Sequence, residues 1–349
     1  MIPPSESFTP ISQVGEFGLI GRLRTVLGAE VPEALVQGIG DDAAVYRVGE
    51  GRVHVVTTDA LVEGVHFDRT FVPMRHLGWK AIATNVSDIV AMNAEPRYAT
   101  VALALPNNIS VEQLEMLYTG MTEACGRYDL TIVGGDVTAA SKLMISITVI
   151  GEAAENDIVY RKGAQSGDLL CVTGDLGAAA VGLKVLLAGK TDYDPGGDGA
   201  ETSQPNLAEF AYVVERHLYP QARLDRIKNW REAGVRPSAM IDLSDGLGGD
   251  VHHLCNASGV GAVVEAGLLP IHVQTFKAAE RYDADPLSLA LYGGEDYELL
   301  FAVSEADRQK LGEDSYAVIG QVVDASEGIT LRDTEGNVTP LEAGGFEHF

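Results

Sequence analysis

Twice in this chain an apolar, strand-like run breaks on a turn of glycine and acid and passes into a helix-patterned stretch. The two stretches are "GDLLCVTGDLGAAAVGLKVLLAG" at 167–189 and "AMIDLSDGLGGDVHHLCNASG" at 239–259. Strands feeding helices in this way build α/β layers. The earlier part alternates likewise: residues 53–58, 99–105 and 145–152 read as strands, and 75–93 and 110–127 as helices. In "ISITVIGE", Ile145, Ile147 and Val149 alternate with Ser146 and Thr148, the mark of a half-buried strand. Ser110 with Gln113 three residues on forms a capped helix start, and Gly259 marks a helix end. A chain of 349 residues exceeds one ordinary core. The expectation is two α/β units, 1–152 and 153–349, with the polar 190–206 ("KTDYDPGGDGAETSQPN") as an exposed insertion.

Fifty acids against 25 bases give a net charge of −25, which argues against nucleic acid and anionic membranes as partners. No apolar run approaches the roughly 20 residues of a membrane span, and the first 20 residues lack a signal-peptide pattern. Cys125, Cys171 and Cys255 are far apart and lack metal spacing, which fits a reducing, cytoplasmic setting.

Part of the acidity is concentrated. Six stretches set acids beside glycine or at the end of an apolar run: "GIGDDAAV" (38–45), "TTDALVEGVHF" (57–67), "NVSDIVAM" (85–92), "VGGDVT" (133–138), "IDLSDG" (241–246) and "YGGEDYE" (292–298). Taken singly, each reads equally as turn chemistry. Together they suggest converging carboxylates. Two charges about 4 Å apart cost roughly 4 kcal/mol even at an effective dielectric near 20, so such a cluster needs compensation. Mg²⁺ bridging carboxylates and phosphates supplies it. Asp59 reads as the acid on which the strand at 53–58 ends, as though a ligand sat there. On the helix at 75–93, Asn85 and Asp88 share one face of an apolar segment, as a core hydrogen-bonding pair or, the favoured reading, a metal or phosphate contact.

The usual nucleotide fingerprints are absent. "GLKVLLAGKT" (182–191) has the wrong spacing for a P-loop and reads as a helix end with Lys190 placed near the last carbonyls. Arg161 is the best basic candidate for phosphate, against a plain surface ion pair, and His66 for either a phosphate or a packed loop.

In this order the stretches resemble the thiamine-monophosphate kinase family, from "GEFGLI" (15–20) to "GGFEHF" (344–349). The resemblance implies an α/β (α+β), two-domain aminoimidazole ribonucleotide synthetase-like fold, with mixed sheets flanked by helices. Its first domain would bind ATP and Mg²⁺ and dimerise, and its second would complete the active site. ATP would be the co-substrate, thiamine monophosphate the acceptor, and several Mg²⁺ ions the cofactors of a cytoplasmic homodimer. Carried over, it makes Asp42, Thr57, Thr58, Asp59, Asp88, Asp136, Asp242 and Asp245 metal ligands. Tyr118, Gly135, Asp136, Arg161 and Ser244 would meet ATP, and His66, Glu295 and Phe346 the acceptor.

A phosphate monoester is already largely anionic near neutral pH, its second pKa being about 6, so direct in-line attack needs no obligatory catalytic base. One rival is a sibling synthetase acting on another substrate, such as a formylglycinamidine ribonucleotide. Selenophosphate synthesis is disfavoured because the first cysteine is Cys125. A non-catalytic Ca²⁺-binding protein is disfavoured because no EF-hand spacing occurs.

Overall fold

A computed structural model describes residues 9–28, 31–192, 207–312 and 315–345. The expected insertion at 190–206 lies mostly outside them, as does Phe346.

The first sheet comprises β1 (Leu35–Gln37), β2 (Ala44–Gly49), β3 (Arg52–Val62), β4 (Glu95–Leu105), β5 (Thr131–Ala139) and β6 (Met144–Ala154). They run in the order β1-β2-β3-β6-β4-β5, and only the β4–β5 pair is parallel. Helices α1 (Gly15–Leu27), α2 (Met74–Ala91) and α3 (Val111–Tyr128) belong to the same part of the chain. The second sheet comprises β7 (Leu169–Val172), β8 (Ala239–Asp242), β9 (Gly261–Glu265), β10 (Leu299–Val303), β11 (Ala317–Val323), β12 (Ile329–Arg332) and β13 (Val338–Pro340), in the order β13-β12-β9-β11-β7-β10-β8. Its helices are α4 (Ala178–Asp192), α5 (Ala211–Leu218), α6 (Leu224–Glu232), α7 (Leu247–Ser258), α8 (Val273–Arg281), α9 (Pro286–Tyr292) and α10 (Glu305–Arg308).

Helix α2 is buried almost all round, as its apolar sequence requires: Leu77, Ile82, Val86, Ile89 and Val90 have no exposed surface. Burial of side chains of this size stabilises by roughly 1.5–3 kcal/mol each. It approaches α3 closely because glycine faces backbone on both sides. A Cβ at Gly78 would lie 1.9 Å from the Leu117 carbonyl oxygen, and one at Gly120 1.8 Å from that of Arg75. Ser110 and Gln113 complete the expected capping box of α3. Gly259, with φ 68°, closes α7.

One local expectation is corrected. Strand β3 does not stop at Asp59: β6 pairs with it along its length, as far as Val62 opposite Met144. Strand periodicity therefore puts Asp59 on the inward face that carries Val53, Val55, Thr57 and Leu61. Helix α4 ends at Asp192, so "GLKVLLAGKT" lies at the end of its helix with Lys190 in the last turn, as expected.

Candidate active site

Because β3 alternates, Thr57 and Asp59 face α2, and α2 presents Asn85 and Asp88 to them. Thr57 donates its hydroxyl to Asp88 Oδ2 at 2.7 Å. The Asp59 N–H is accepted by Asn85 Oδ1 at 3.1 Å, and Asn85 Nδ2 donates to the Ala81 carbonyl at 3.1 Å. Asn85 is thus a satisfied core side chain that fixes Asp59, which corrects the favoured reading of it as a metal or phosphate contact.

Asp88 has company from both sheets. Carboxylate oxygens of Asp42, Asp88 and Asp242 all lie within 4.8 Å of one another. Asp42 comes from the loop before β2, and Asp242 from the end of β8. Ser87, the neighbour of Asp88 on α2, donates to Asp242 Oδ2 at 2.6 Å. Arg161 directs both Nε (3.0 Å) and Nη2 (2.5 Å) onto Oδ1 of Asp42. Oδ2 of Asp42 is left buried with no partner.

Burial pushes the carboxyls of Asp42, Asp88 and Asp242 above the usual range, and the charge of their acidic neighbours adds to the shift of Asp88 and Asp242. Burial, then the nearby Asp245, raises Asp59 to about 6. Asp41, whose Oδ1 accepts from the N–H groups of Asp42 and Arg161, is likewise raised by burial to about 6. At 4.8 Å each ionised pair repels by roughly 3 kcal/mol at an effective dielectric near 20. An all-oxygen set of this kind, with an orphaned buried carboxylate oxygen in it, fits a hard divalent cation such as Mg²⁺.

Other expected residues lie around this cluster or away from it. Thr58 points to the opposite face of β3, where its hydroxyl donates to the Ile147 carbonyl at 3.1 Å, so its side chain does not join the acids. Gly135 and Asp136 lie exposed on the edge strand β5, outside the group of three. Tyr118 is 37% exposed on α3. His66 follows β3, and its Nδ1 accepts the Val62 N–H at 2.9 Å. Ser244 and Asp245 form the turn between β8 and α7.

Glu295 lies beside that turn, its N–H donating to the Ser244 carbonyl at 2.7 Å. The stretch "GGEDYE" holds Gly294, Glu295 and Tyr297 at φ 67°, 59° and 51°. Left-handed backbone at two non-glycine residues is costly and recurs at ligand sites. The Glu295 carboxylate meets Lys80 Nζ at 2.6 Å and His217 Nδ1 at 3.0 Å.

Sequence reasoning missed Ser87, Lys80, His217 and Asp250. Asp250 is a buried acid on α7 whose Oδ2 has no partner. The available signals were a lone lysine in the apolar run "GWKAIAT" and a further acid on the helix after "IDLSDG".

Two mixed sheets with a cation-fitting acid cluster between them agree with the class to which family models assign the chain, the AIR synthase related proteins. The AIR synthase related protein N-terminal domain family matches residues 40–153, and the corresponding C-terminal domain family matches residues 165–332. Thiamine-monophosphate kinase of Aquifex aeolicus is 37% identical over 291 residues, which is 83% of this chain and 86% of that protein. The Bacillus subtilis thiamine-monophosphate kinase is 32% identical over 320 residues, 89% and 93% of the two chains. The solved structure of AaThiL complexed with AMPPCP and TMP superposes with a TM-score of 0.83 at 34% identity, covering 99% of this chain and 100% of that one. The chain belongs to the thiamine-monophosphate kinase family of phosphotransferases.

Proposed function

We propose that this chain transfers the γ-phosphoryl group of ATP directly onto the phosphate of thiamine monophosphate, giving thiamine diphosphate and ADP. A phosphate oxygen of the acceptor forms the new bond to the γ-phosphorus as the bond to the ADP oxygen breaks. The acceptor oxygen is already deprotonated at neutral pH, so no side chain has to remove a proton. The observation that carries this reading is the convergence of Asp42, Asp88 and Asp242 from both sheets.

Bound Mg²⁺, several ions per site, would neutralise the charge gathering on the transferring phosphoryl group. Asp42, Asp88 and Asp242 would hold it, with Thr57, Asp59 and Asp245 close by and Asp136 as a further ligand, while the hydroxyl of Thr58 is turned away onto the Ile147 carbonyl. Arg161 fixes Asp42 and is suited to reach the nucleotide phosphates, with Tyr118, Gly135 and Ser244 along the same ATP. His66, Glu295 and Phe346 would position the acceptor. The superposed relative is complexed with AMPPCP and TMP, which supports ATP and thiamine monophosphate as the two ligands.

The same reading divides the chain at residue 152 and makes it a cytoplasmic homodimer. Support for the dimer comes from edge strand β5, exposed along almost its whole length, with Val133 57% and Val137 63% exposed. Free, buried Cys125, Cys171 and Cys255 suit a reducing compartment. No helix among the described residues is long and apolar enough to cross a membrane.

Single-turnover product analysis with ATP, Mg²⁺ and thiamine monophosphate tests the proposal. Wild type should form thiamine diphosphate, and Asp59→Asn should largely lose it. No product from wild type that still binds ATP would point to a different acceptor. Label from [γ-³²P]ATP held covalently on the protein without acceptor would rule out direct transfer.

A further inference from the structure

Helix α2 carries a further polar residue besides Asn85, Ser87 and Asp88. Lys80 is only 3% exposed within an apolar helix, and its ammonium is 2.6 Å from Glu295. A lysine so buried is expensive unless paired. On the other side of the same carboxylate stands His217 of α5, also 3% exposed. The Glu295 N–H is tied to the Ser244 carbonyl, beside the turn that bears Asp245.

Its neighbour Glu298 shows what a purely structural clamp looks like in this fold. Arg216 of α5 and Arg223, just before α6, grip its carboxylate, Thr173 donates to it at 2.7 Å, and its side chain has no exposed surface. Glu295 is clamped as well, yet 29% of its side chain remains open. A carboxylate has about four acceptor positions, and two neighbours leave some of them facing outward. Holding an anion rigidly with an open side is what recognition of a ligand donor or cation demands, and a core ion pair has no need of it.

We propose that Lys80 and His217 are positioning residues, holding Glu295 as a fixed, acceptor-only anion for the N–H-donating or cationic part of thiamine monophosphate. The inference rests on reading Glu295 as an acceptor ligand, and it adds the two groups that aim it. Lys80 supplies the opposite charge beside the carboxylate, and His217, whose Nδ1 lies 3.0 Å from the second oxygen without an aligned hydrogen bond, restricts its rotation by contact. Because Lys80 and Asp88 are on one helix, acceptor and metal sites share a single rigid support.

Steady-state kinetics of the full chain, with thiamine monophosphate and ATP varied separately, tests this in Lys80→Met, Lys80→Arg, His217→Ala and Glu295→Gln. Loss of one charge-assisted contact predicts a KM for thiamine monophosphate raised about tenfold in Lys80→Met and His217→Ala. The KM for ATP should stay near wild type, and Lys80→Arg should restore most of the loss. If Lys80→Met fails to fold, His217→Ala carries the comparison. Unchanged acceptor KM in the folded variants, with Glu295→Gln raised, overturns the positioning role. Equal loss for both substrates overturns it too, as a general structural defect. Unchanged acceptor KM in Glu295→Gln removes the reading of Glu295 itself.

Discussion

Ser87 and Asp242, 155 positions apart in sequence, are joined by a 2.6 Å hydrogen bond from hydroxyl to carboxylate. It ties helix α2 to β8, an edge strand of the second sheet, at the point where their acids meet. Both residues are buried. Ser87→Ala leaves a buried acceptor short of a donor and should cost about 1–2 kcal/mol in urea unfolding. It should also raise the Mg²⁺ concentration needed for half-maximal activity. An unchanged Mg²⁺ requirement would separate Ser87 from the cation site.

Arg161 grips one oxygen of a fully buried carboxylate. Removing one partner of such a pair strands the other, at a cost of about 3–5 kcal/mol. Arg161→Met should therefore destabilise strongly in EDTA. Mg²⁺ should recover part of the loss by taking over Asp42. Equal losses in the two conditions would show that the cation does not reach this acid.

Asp88 is disfavoured as an anion by burial and by Asp59, Asp242 and Asp42 around it. Its amide keeps an oxygen for the Thr57 hydroxyl and removes the repulsion. Asp88→Asn should melt higher than wild type in EDTA at pH 8 while losing at least about 100-fold in turnover, the usual opposition between stability and an acidic site. A lower melting temperature would mean that the acid is there for structure.

Much of this arrangement was legible from sequence, and the reason lies in periodicity. Alternation in "ISITVIGE" and the apolar run of α2 fixed strand and helix, and Asp88 fell on the expected face. What stayed hidden were contacts between distant segments. No local pattern announces that Ser87 meets Asp242, or that Lys80 meets Glu295 across more than two hundred residues. Asp59 misled because an acid after a β-branched run looks like a strand end, whereas pairing with β6 carries the strand onward to Val62. Asn85 misled for a related reason, since only the fold reveals that the Asp59 N–H uses its oxygen.

Asp296 offers a pH test away from the acid cluster. Both of its oxygens accept the Gly177 N–H, at 3.1 and 2.9 Å, and burial pushes its carboxyl up to about 7 from an ordinary 3.8. A folded-state value above the unfolded one contributes stability that is complete at low pH and is lost as pH rises through the folded value. The contribution from Asp296 should therefore fall between about pH 4 and pH 7. Asp296→Asn should flatten that part of the stability curve. Parallel curves for wild type and variant would refute the assignment.

The most direct measurement is anomalous diffraction from crystals of the protein with AMPPCP, thiamine monophosphate and Mn²⁺ in place of Mg²⁺. The account predicts Mn²⁺ peaks bound by Asp42, Asp88 and Asp242 together, between the two sheets and against the nucleotide phosphates. Peaks that touch the phosphates but none of these three carboxylates would contradict it.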